Sequence, residues 1–167
     1  MTGHEAGFGG GCHWCTEAVF RSLCGVQTVR QGFIASDPPQ DSYSEAVVVT
    51  WDPDEITLED LIAVHLATHA STSAHKMRGK YRSAVYAQSD AIADDARQIL
   101  ARLEDEAGQS FVTAVLPFRT FKASDPRFHD YYSRNRQGPF CESYIEPKLA
   151  LLRKRFARLQ KAELLNG

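Results

Sequence analysis

The chain predicts a single α+β domain in which strands and helices interleave around a mixed sheet covered mainly on one side. Three observations carry that reading. β-Branched runs such as Ala46-Val47-Val48-Val49-Thr50 alternate with segments whose apolar residues recur at helical spacing. A length of 167 residues fits one domain over residues 1–167 and suffices to bury its own core. No repeat, low-complexity tract or second domain interrupts it.

The elements follow in order. Phe8 to Glu17 reads FGGGCHWCTE, and an apolar helical run (Ala18, Val19, Phe20, Leu23) comes after it. Glycine permits turns and close approaches that a β-carbon forbids, so this turn sets Cys12 at or just before the first turn of a helix. Val26 to Ile34 is a strand, Ala35 to Ser42 a polar proline-containing loop, and Tyr43 to Trp51 a second strand. Thr57, with Asp60 three residues on, starts a helix carrying Leu58, Leu61, Ile62, His65, Leu66 and His69 on one stripe. A loop over Ala70 to Lys80 leads to a strand over Tyr81 to Ala87.

Ser89 caps a helix over Asp90 to about Glu106, with Ile92, Ala96, Ile99, Leu100 and Leu103 inward. Phe111 to Arg119 is the last strand. Pro126 opens a short helix with Phe128, His129, Tyr131 and Tyr132. Asn135 to Phe140 is a flexible loop that delivers Cys141. A final helix from about Pro147 packs Leu149, Leu152, Phe156 and Leu159 and leaves Arg153, Lys154, Arg155, Arg158 and Lys161 largely on its solvated face.

Composition excludes several functions. A formal net charge of -2 argues against general nucleic-acid binding. No apolar run reaches membrane-span length and no signal-peptide core follows Met1, which makes the cytoplasm the expected location. A monomer is expected. In that compartment Cys12, Cys15, Cys24 and Cys141 do not form a structural disulfide framework. Cys12-x-x-Cys15 has the spacing of zinc ligands, but a closed site needs a second pair, and Cys24, Cys141, His65, His69 and His75 do not supply it in a zinc-binding order. His65 and His69 read as packed core residues on their helix. No metal and no cofactor is therefore expected.

The chemistry converges on Cys12. Orphan N–H groups and the positive end of the dipole at a helix start favour an anion, so its thiol ionises more readily than a free cysteine. The Phe8–Glu17 stretch resembles the Gly-Cys-Phe-Trp motif of the A-type peptide methionine sulfoxide reductases, often followed, as here, by Cys-Thr-Glu. The resemblance extends to about Lys148. YRSAVY over Tyr81–Tyr86 is similar to the family's Gln-Tyr-Arg-Ser-Ala-Ile-Tyr segment, and Glu45 keeps the family spacing to Asp52-Pro53. Gly138-Pro139-Phe140-Cys141 stands where the family often has Gly-Tyr-Cys. The sequence departs at His13, where phenylalanine is usual, and in shorter loops before Glu45 and over 70–80.

The resemblance implies an α/β plait (a ferredoxin-like two-layer sandwich) with an extra terminal helix. It also implies reduction of methionine S-sulfoxide in oxidised peptides and proteins, with thioredoxin as reductant. Sulfoxide reduction requires a nucleophile, a proton source and a pocket for an uncharged methyl. Cys12 supplies the first. Glu45, in a dry pocket against Trp14, would have its pKa raised and suits the second. Trp14 offers an apolar wall, with His13 beside it. Tyr43, two residues before Glu45, shares its face, and Tyr81 is the other phenol that the resemblance places in the site; either suits the sulfoxide oxygen. The resulting sulfenic acid on Cys12 needs a second thiol. Cys141 is preferred by resemblance, and Cys15 is one helical turn away, where strain within a regular helix would limit bonding. Cys24 reads as a small packed residue. Two other readings use the same residues. A general Cys-x-x-Cys thiol–disulfide oxidoreductase needs neither Glu45 nor Trp14, and a non-catalytic binding module needs no reactive thiol.

Overall fold

β-Branched runs set most strands of the computed structural model, which describes residues 4–69, 71 and 81–161. His4–Gly9 (β1), Val26–Ala35 (β2), Ser44–Trp51 (β3), Ala84–Ala87 (β4), Ala114–Pro117 (β5) and Thr120–Ala123 (β6) form one sheet in the order β5-β4-β1-β3-β2-β6. Neighbours are antiparallel except β4 and β5, so the sheet is mixed. The helices are His13–Arg21 (α1), Leu58–Ala67 (α2), Asp90–Ala107 (α3), Tyr131–Arg134 (α4) and Glu146–Arg155 (α5).

Two strands differ from expectation. The central strand β1 (HEAGFG) has no β-branched residue, and its pattern carries no strand signal. Its register comes instead from close packing. A Cβ on Gly7 would lie 2.5 Å from Ile34 Cδ1 and 3.0 Å from Tyr86 Cβ, so only glycine lets those side chains close over β1. Of the strand expected over 111–119 only β5 forms, and β6, just beyond that range, was not expected. Pro117 has no N–H to continue β5. Phe118 donates its N–H to the Ala87 carbonyl (2.9 Å) and Arg119 to that of Ala35 (3.3 Å). Two residues thus join opposite ends of the strand order, which requires the sheet to curl until its edges approach.

Several local expectations hold. Thr57 and Asp60 form a reciprocal capping box on α2, with Asp60 N to Thr57 Oγ1 at 3.0 Å. Ser89 Oγ accepts from Ile92 N at 3.2 Å to start α3, and left-handed Gly108 (φ 68°) ends it. β4 starts at Ala84, later than the expected Tyr81. The last helix stops at Arg155, and a 3₁₀ turn over Ala157–Leu159 replaces its expected continuation. The loop over 70–80, with His75, falls outside the described residues except for Ser71. Among the described residues no helix is long and apolar enough to cross a membrane.

Both faces of the sheet bury apolar side chains. The helix-covered face holds the main cluster, including Phe8, Val47, Val49 and Trp51 of the sheet and Phe20, Leu61, Ile62 and Leu152 of the helices. The other face holds Ile34, Ala46, Val48, Ala84 and Tyr86, covered by Leu116, Phe118 and Phe121 from the β5–β6 corner. Alternation along β3 therefore sends Val47, Val49 and Trp51 to the helices, and Glu45 continues that stripe at the strand's start. A carboxylate is thereby delivered to the face where α1 begins.

Candidate active site

Cys12 is the residue on which α1 starts. Its backbone (φ -60°, ψ 127°) lies outside the helix, while its carbonyl accepts the N–H groups of Cys15 and Thr16, both at 3.1 Å. The half-buried thiol lies at the open end of the helix, where donors converge on it. Its pKa falls to about 5, chiefly because the Cys15 thiol donates a hydrogen bond to it. Burial opposes that fall, while the His13 ring and the N–H groups of Trp14 and Cys15 add to it. Cys12 is thus a thiolate at neutral pH. The same bond, with burial and the neighbouring negative charge, pushes the Cys15 thiol up. Gly10 shapes the approach to this turn, since a Cβ there would fall 2.4 Å from His69 Cδ2.

Glu45 is buried and reaches the same helix end. Its Oε1 accepts the backbone N–H of His13 at 3.2 Å and lies 3.2 Å from His13 Nδ1. The neighbour that meets the carboxylate is thus His13, the residue that replaces the usual phenylalanine. His13 is itself buried, and its ring packs edge-on against Phe33 at 5.2 Å, the residue opposite Glu45 across β2 and β3. Cys12 Sγ, a His13 ring nitrogen and a Glu45 oxygen all lie within 4.8 Å of one another. Among the described residues no other trio or larger group of His, Cys, Asp and Glu is gathered so closely.

Trp14 stands in an aromatic box. Tyr131 stacks on it at 4.2 Å and 9°, Phe128 at 5.1 Å and 27°, and Phe140 meets it edge-on at 5.1 Å. The Trp14 Nε1 atom is buried without a hydrogen-bond partner. Glu17 fixes the box from below. Its carboxylate, buried at 1% exposure, accepts the N–H groups of Asp130 (2.9 Å) and Tyr131 (3.2 Å). Gln31 Nε2 bridges Glu17 Oε1 (3.1 Å) and the Phe128 carbonyl (2.8 Å). A buried carboxylate with this many donors holds its loop in one place. The sequence reading missed Glu17, Phe33, Phe128, Tyr131 and Phe140 as site residues. The Cys-Thr-Glu motif and the Phe/Tyr-rich segment after Pro126 were the signals available.

The other expected residues divide. Tyr81 is half-buried beside Arg82, whose N–H donates to Ser44 Oγ at 2.7 Å, so Tyr81 and Glu45 come to the same rim of the sheet. Arg82 also donates to the carbonyls of Ile34 and Ser42, which fastens the loop that leads into β3. Tyr43 precedes β3 and is 49% exposed. Cys141 differs most from expectation. It begins a π-helical turn, Cys141–Ile145, and is fully buried, instead of hanging from a flexible loop. Burial and the nearby Glu146 carboxylate push its thiol up. Cys24 donates its thiol to the Gln160 carbonyl at 3.2 Å, on the far end of α1. His65 is buried against Phe8 and Phe20, and burial pushes its pKa well down, as expected of a neutral packed histidine.

A small cavity touches Cys12 on its Cys15 side, lined by Thr16, His65, Thr68, His69 and Lys148. Lys148 donates to the Thr68 carbonyl at the end of α2, and its positive charge favours the ionised form of Cys15. Larger clefts lie elsewhere; one, between α1 and α5, holds Arg21, Arg136 and Arg153 and no thiol.

Comparison with known proteins agrees with this geometry. The family model "Peptide methionine sulfoxide reductase" matches residues 4–160. "Peptide methionine sulfoxide reductase MsrA" of Deinococcus radiodurans is 36% identical, covering 90% of this chain and 81% of that protein. The reduced form of Mxr1 from Saccharomyces cerevisiae superposes with a TM-score of 0.70 at 22% identity, covering 86% of this chain and 91% of Mxr1. Mxr1 in complex with Trx2 superposes with a TM-score of 0.61 at 21% identity over 78% of this chain and 85% of Mxr1.

Proposed function

Since this chain belongs to the peptide methionine sulfoxide reductase family and is a thiol-dependent methionine sulfoxide reductase, we propose that Cys12 is its nucleophile, Glu45 its proton donor and Cys15 the thiol that closes the cycle. The observation that carries the assignment is the Cys12 thiolate, held near pKa 5 at the start of α1 with the Glu45 carboxyl group at the same helix end. Only a thiolate attacks, and only a nearby acid makes the oxygen leave.

The steps balance as follows. Cys12 attacks the sulfoxide sulfur of an oxidised methionine residue. Glu45 gives its proton to the oxygen, which transfers to the cysteine sulfur. The products are methionine and a Cys12 sulfenic acid, with the sulfoxide reduced by two electrons and the thiol oxidised by two. The Trp14 box takes the methyl group, and the unpartnered Trp14 N–H is a donor for a polar group of the substrate. Tyr81 sits on the rim that faces the oxygen. His13 is a wall of the same pocket, and exposed Tyr43 contacts the peptide around the sulfoxide. The Cys15 thiol then attacks the sulfenic sulfur. An S–S bond forms, the S–O bond breaks, and the thiol proton leaves with the hydroxyl as water.

Cys15 is favoured over Cys141 because it already donates to Cys12, whereas Cys141 is buried under the π-turn. The strain expected of a bond within one helix does not apply, because Cys12 precedes α1. Thioredoxin, through its dithiol, returns both cysteines to thiols. The β1–α1–β2–β3–α2–β4 unit reads as the α/β plait of the family. We also read residues 1–167 as one catalytic domain, acting as a cytoplasmic monomer without a cofactor.

The test is turnover of both methionine sulfoxide epimers in a peptide, with dithiothreitol and with thioredoxin. The S epimer is reduced with either reductant, the R epimer with neither, and Cys12→Ser falls to background. Substantial turnover by Cys12→Ser would overturn the assignment. Reduction of insulin disulfides without any sulfoxide turnover would favour a general Cys-x-x-Cys oxidoreductase instead.

A further inference from the structure

We propose that Cys12, His13 and Glu45 form an open three-ligand site for a zinc ion, which occupies the nucleophile and reversibly shuts the enzyme off. The proposal rests on the reading of Cys12 as nucleophile, but the site itself is a matter of ligand chemistry. A thiolate, an imidazole and a carboxylate are the three donor types zinc takes from proteins, and three protein ligands with a free fourth position are the pattern of exchangeable, non-structural sites. This differs from the closed four-ligand site that the cysteine spacing excludes, since it draws one ligand from β3, far away in sequence.

The geometry fits. Zinc bonds of about 2.0–2.2 Å to nitrogen and oxygen place those two ligands roughly 3.3–3.4 Å apart in a tetrahedron. His13 Nδ1 and Glu45 Oε1 are 3.2 Å apart. Cys12 Sγ is no more than 4.8 Å from either. Closing to tetrahedral spacing moves the sulfur by at most about 1.3 Å, within reach of a side-chain rotation.

A second observation points at an occupant. Nδ1 belongs to a side chain that is only 7% exposed, and it makes no hydrogen bond of proper direction despite its distance to Glu45. A neutral imidazole nitrogen and a carboxylate oxygen both carry lone pairs. Nδ1 and the Glu45 carboxylate face one another here beside the Cys12 sulfur, a donor set that a shared cation can bridge. Cys15 is outside the set. Phenylalanine at position 13 would remove one ligand, so the sensitivity belongs to chains that carry histidine there. Magnesium and calcium, which take six or more oxygen ligands, fit poorly.

The experiment uses the whole chain, reduced with a phosphine to avoid thiol chelation, and the metals alone as probes. Cobalt(II) should give thiolate-to-metal charge-transfer absorption saturating at one ion per chain. Zinc affinity, read by competition with a chromophoric chelator, should fall at least about tenfold in His13→Phe and Glu45→Gln, as expected when a ligand is lost. Cys15→Ser should stay within about threefold of the wild type. Zinc should protect Cys12 from iodoacetamide in the wild type and not in His13→Phe, with chelator restoring labelling; magnesium should protect neither. Equal zinc affinity in the wild type and His13→Phe would overturn the proposal, as would loss of binding in Cys15→Ser with retention in His13→Phe, which places the ion on the Cys-x-x-Cys pair. Because binding is read without turnover, a failed nucleophile assignment shows in Cys12→Ser activity and leaves the metal result separate.

Discussion

Cys12 and Cys141 carry the same side chain into opposite surroundings. Cys12 is half-buried at the start of α1, where a thiol, a ring and two backbone N–H groups stabilise its anion. Cys141 is fully buried in a π-turn beside Glu146, and burial and the Glu146 charge both work against its anion. Nothing in the two cysteines themselves distinguishes them. What separates a nucleophile from an inert thiol is the number of donors that the backbone aims at it, measured against the burial that opposes charge.

The strongest way to break that comparison is to remove Cys15 and Cys141 in turn. Under our reading Cys15→Ser keeps a single-turnover burst and loses steady-state turnover with thioredoxin, and the Cys12 sulfenic acid becomes trappable by dimedone in mass spectra. Cys141→Ser keeps most of its turnover. The reverse pattern would make Cys141 the resolving thiol and show that the π-turn opens during the cycle. A second variant, Cys15→Ala, tests the pKa argument. Cys12 has a lowered pKa, so its thiolate is present above about 5 and is lost as pH falls through that value. Alkylation of the wild type should therefore be level across neutral pH. In Cys15→Ala, which leaves no side-chain donor at that position, the largest stabilising bond is gone, and the midpoint should move up toward the ordinary thiol range near 8.5. An unmoved midpoint would show that the helix end alone holds the thiolate.

How much of this was legible depends on whether the signal was local. Thr57, Ser89 and the β-branched run of β3 announce their elements within a few residues, and the structure agrees. The glycines before Cys12 announced a tight turn into a helix for the same reason. β1 was not legible, because its place in the sheet rests on Ile34 and Tyr86 closing over Gly7. Nor were the end of β5 at Pro117 and the strand β6 after it, which follow from sheet edges meeting through curl. In the site, Cys12 and Trp14 stood out in one motif, but the meeting of His13 with Glu45 depends on β3 register. The box around Trp14 depends on Glu17 gripping a loop more than a hundred residues away. Long-range contacts of this kind leave little trace in a single sequence.

Glu45 sharpens the comparison from the other side, since Cys12 has an acid in its surroundings positioned for the substrate. Glu45→Gln keeps a hydrogen-bonding group but no proton to give. The chemical step should slow by about a hundredfold at neutral pH, the usual scale for a positioned acid. The deficit should narrow as added acid replaces the lost proton. Stopped-flow single turnovers across the pH range measure it, and wild-type rates throughout would leave Glu45 a purely structural role.

The smallest expected effect concerns the box that both regions share, because Phe140 joins the Cys141 turn to Trp14. Tyr131 lies nearly parallel to the indole at 4.2 Å, closer than any other ring to Trp14. Such a pair is worth about 0.5–1.5 kcal/mol beyond buried area, or roughly two- to tenfold in an equilibrium constant. Tyr131→Ala should therefore raise KM for a methionine sulfoxide peptide by about that factor. kcat should hold, because neither Cys12 nor Glu45 touches the phenol ring's place in the box. Tyr131→Phe keeps the stack and should behave as the wild type. Glu17→Gln weakens the grip on the Tyr131 backbone and should shift KM in the same direction, with a double variant no worse than Tyr131→Ala alone. A fall in KM on Tyr131→Ala would reverse the reading, since it would mean the ring occupies the methyl site and must leave before substrate binds. The sign of one KM change therefore decides whether α4 is the pocket's wall or its cover.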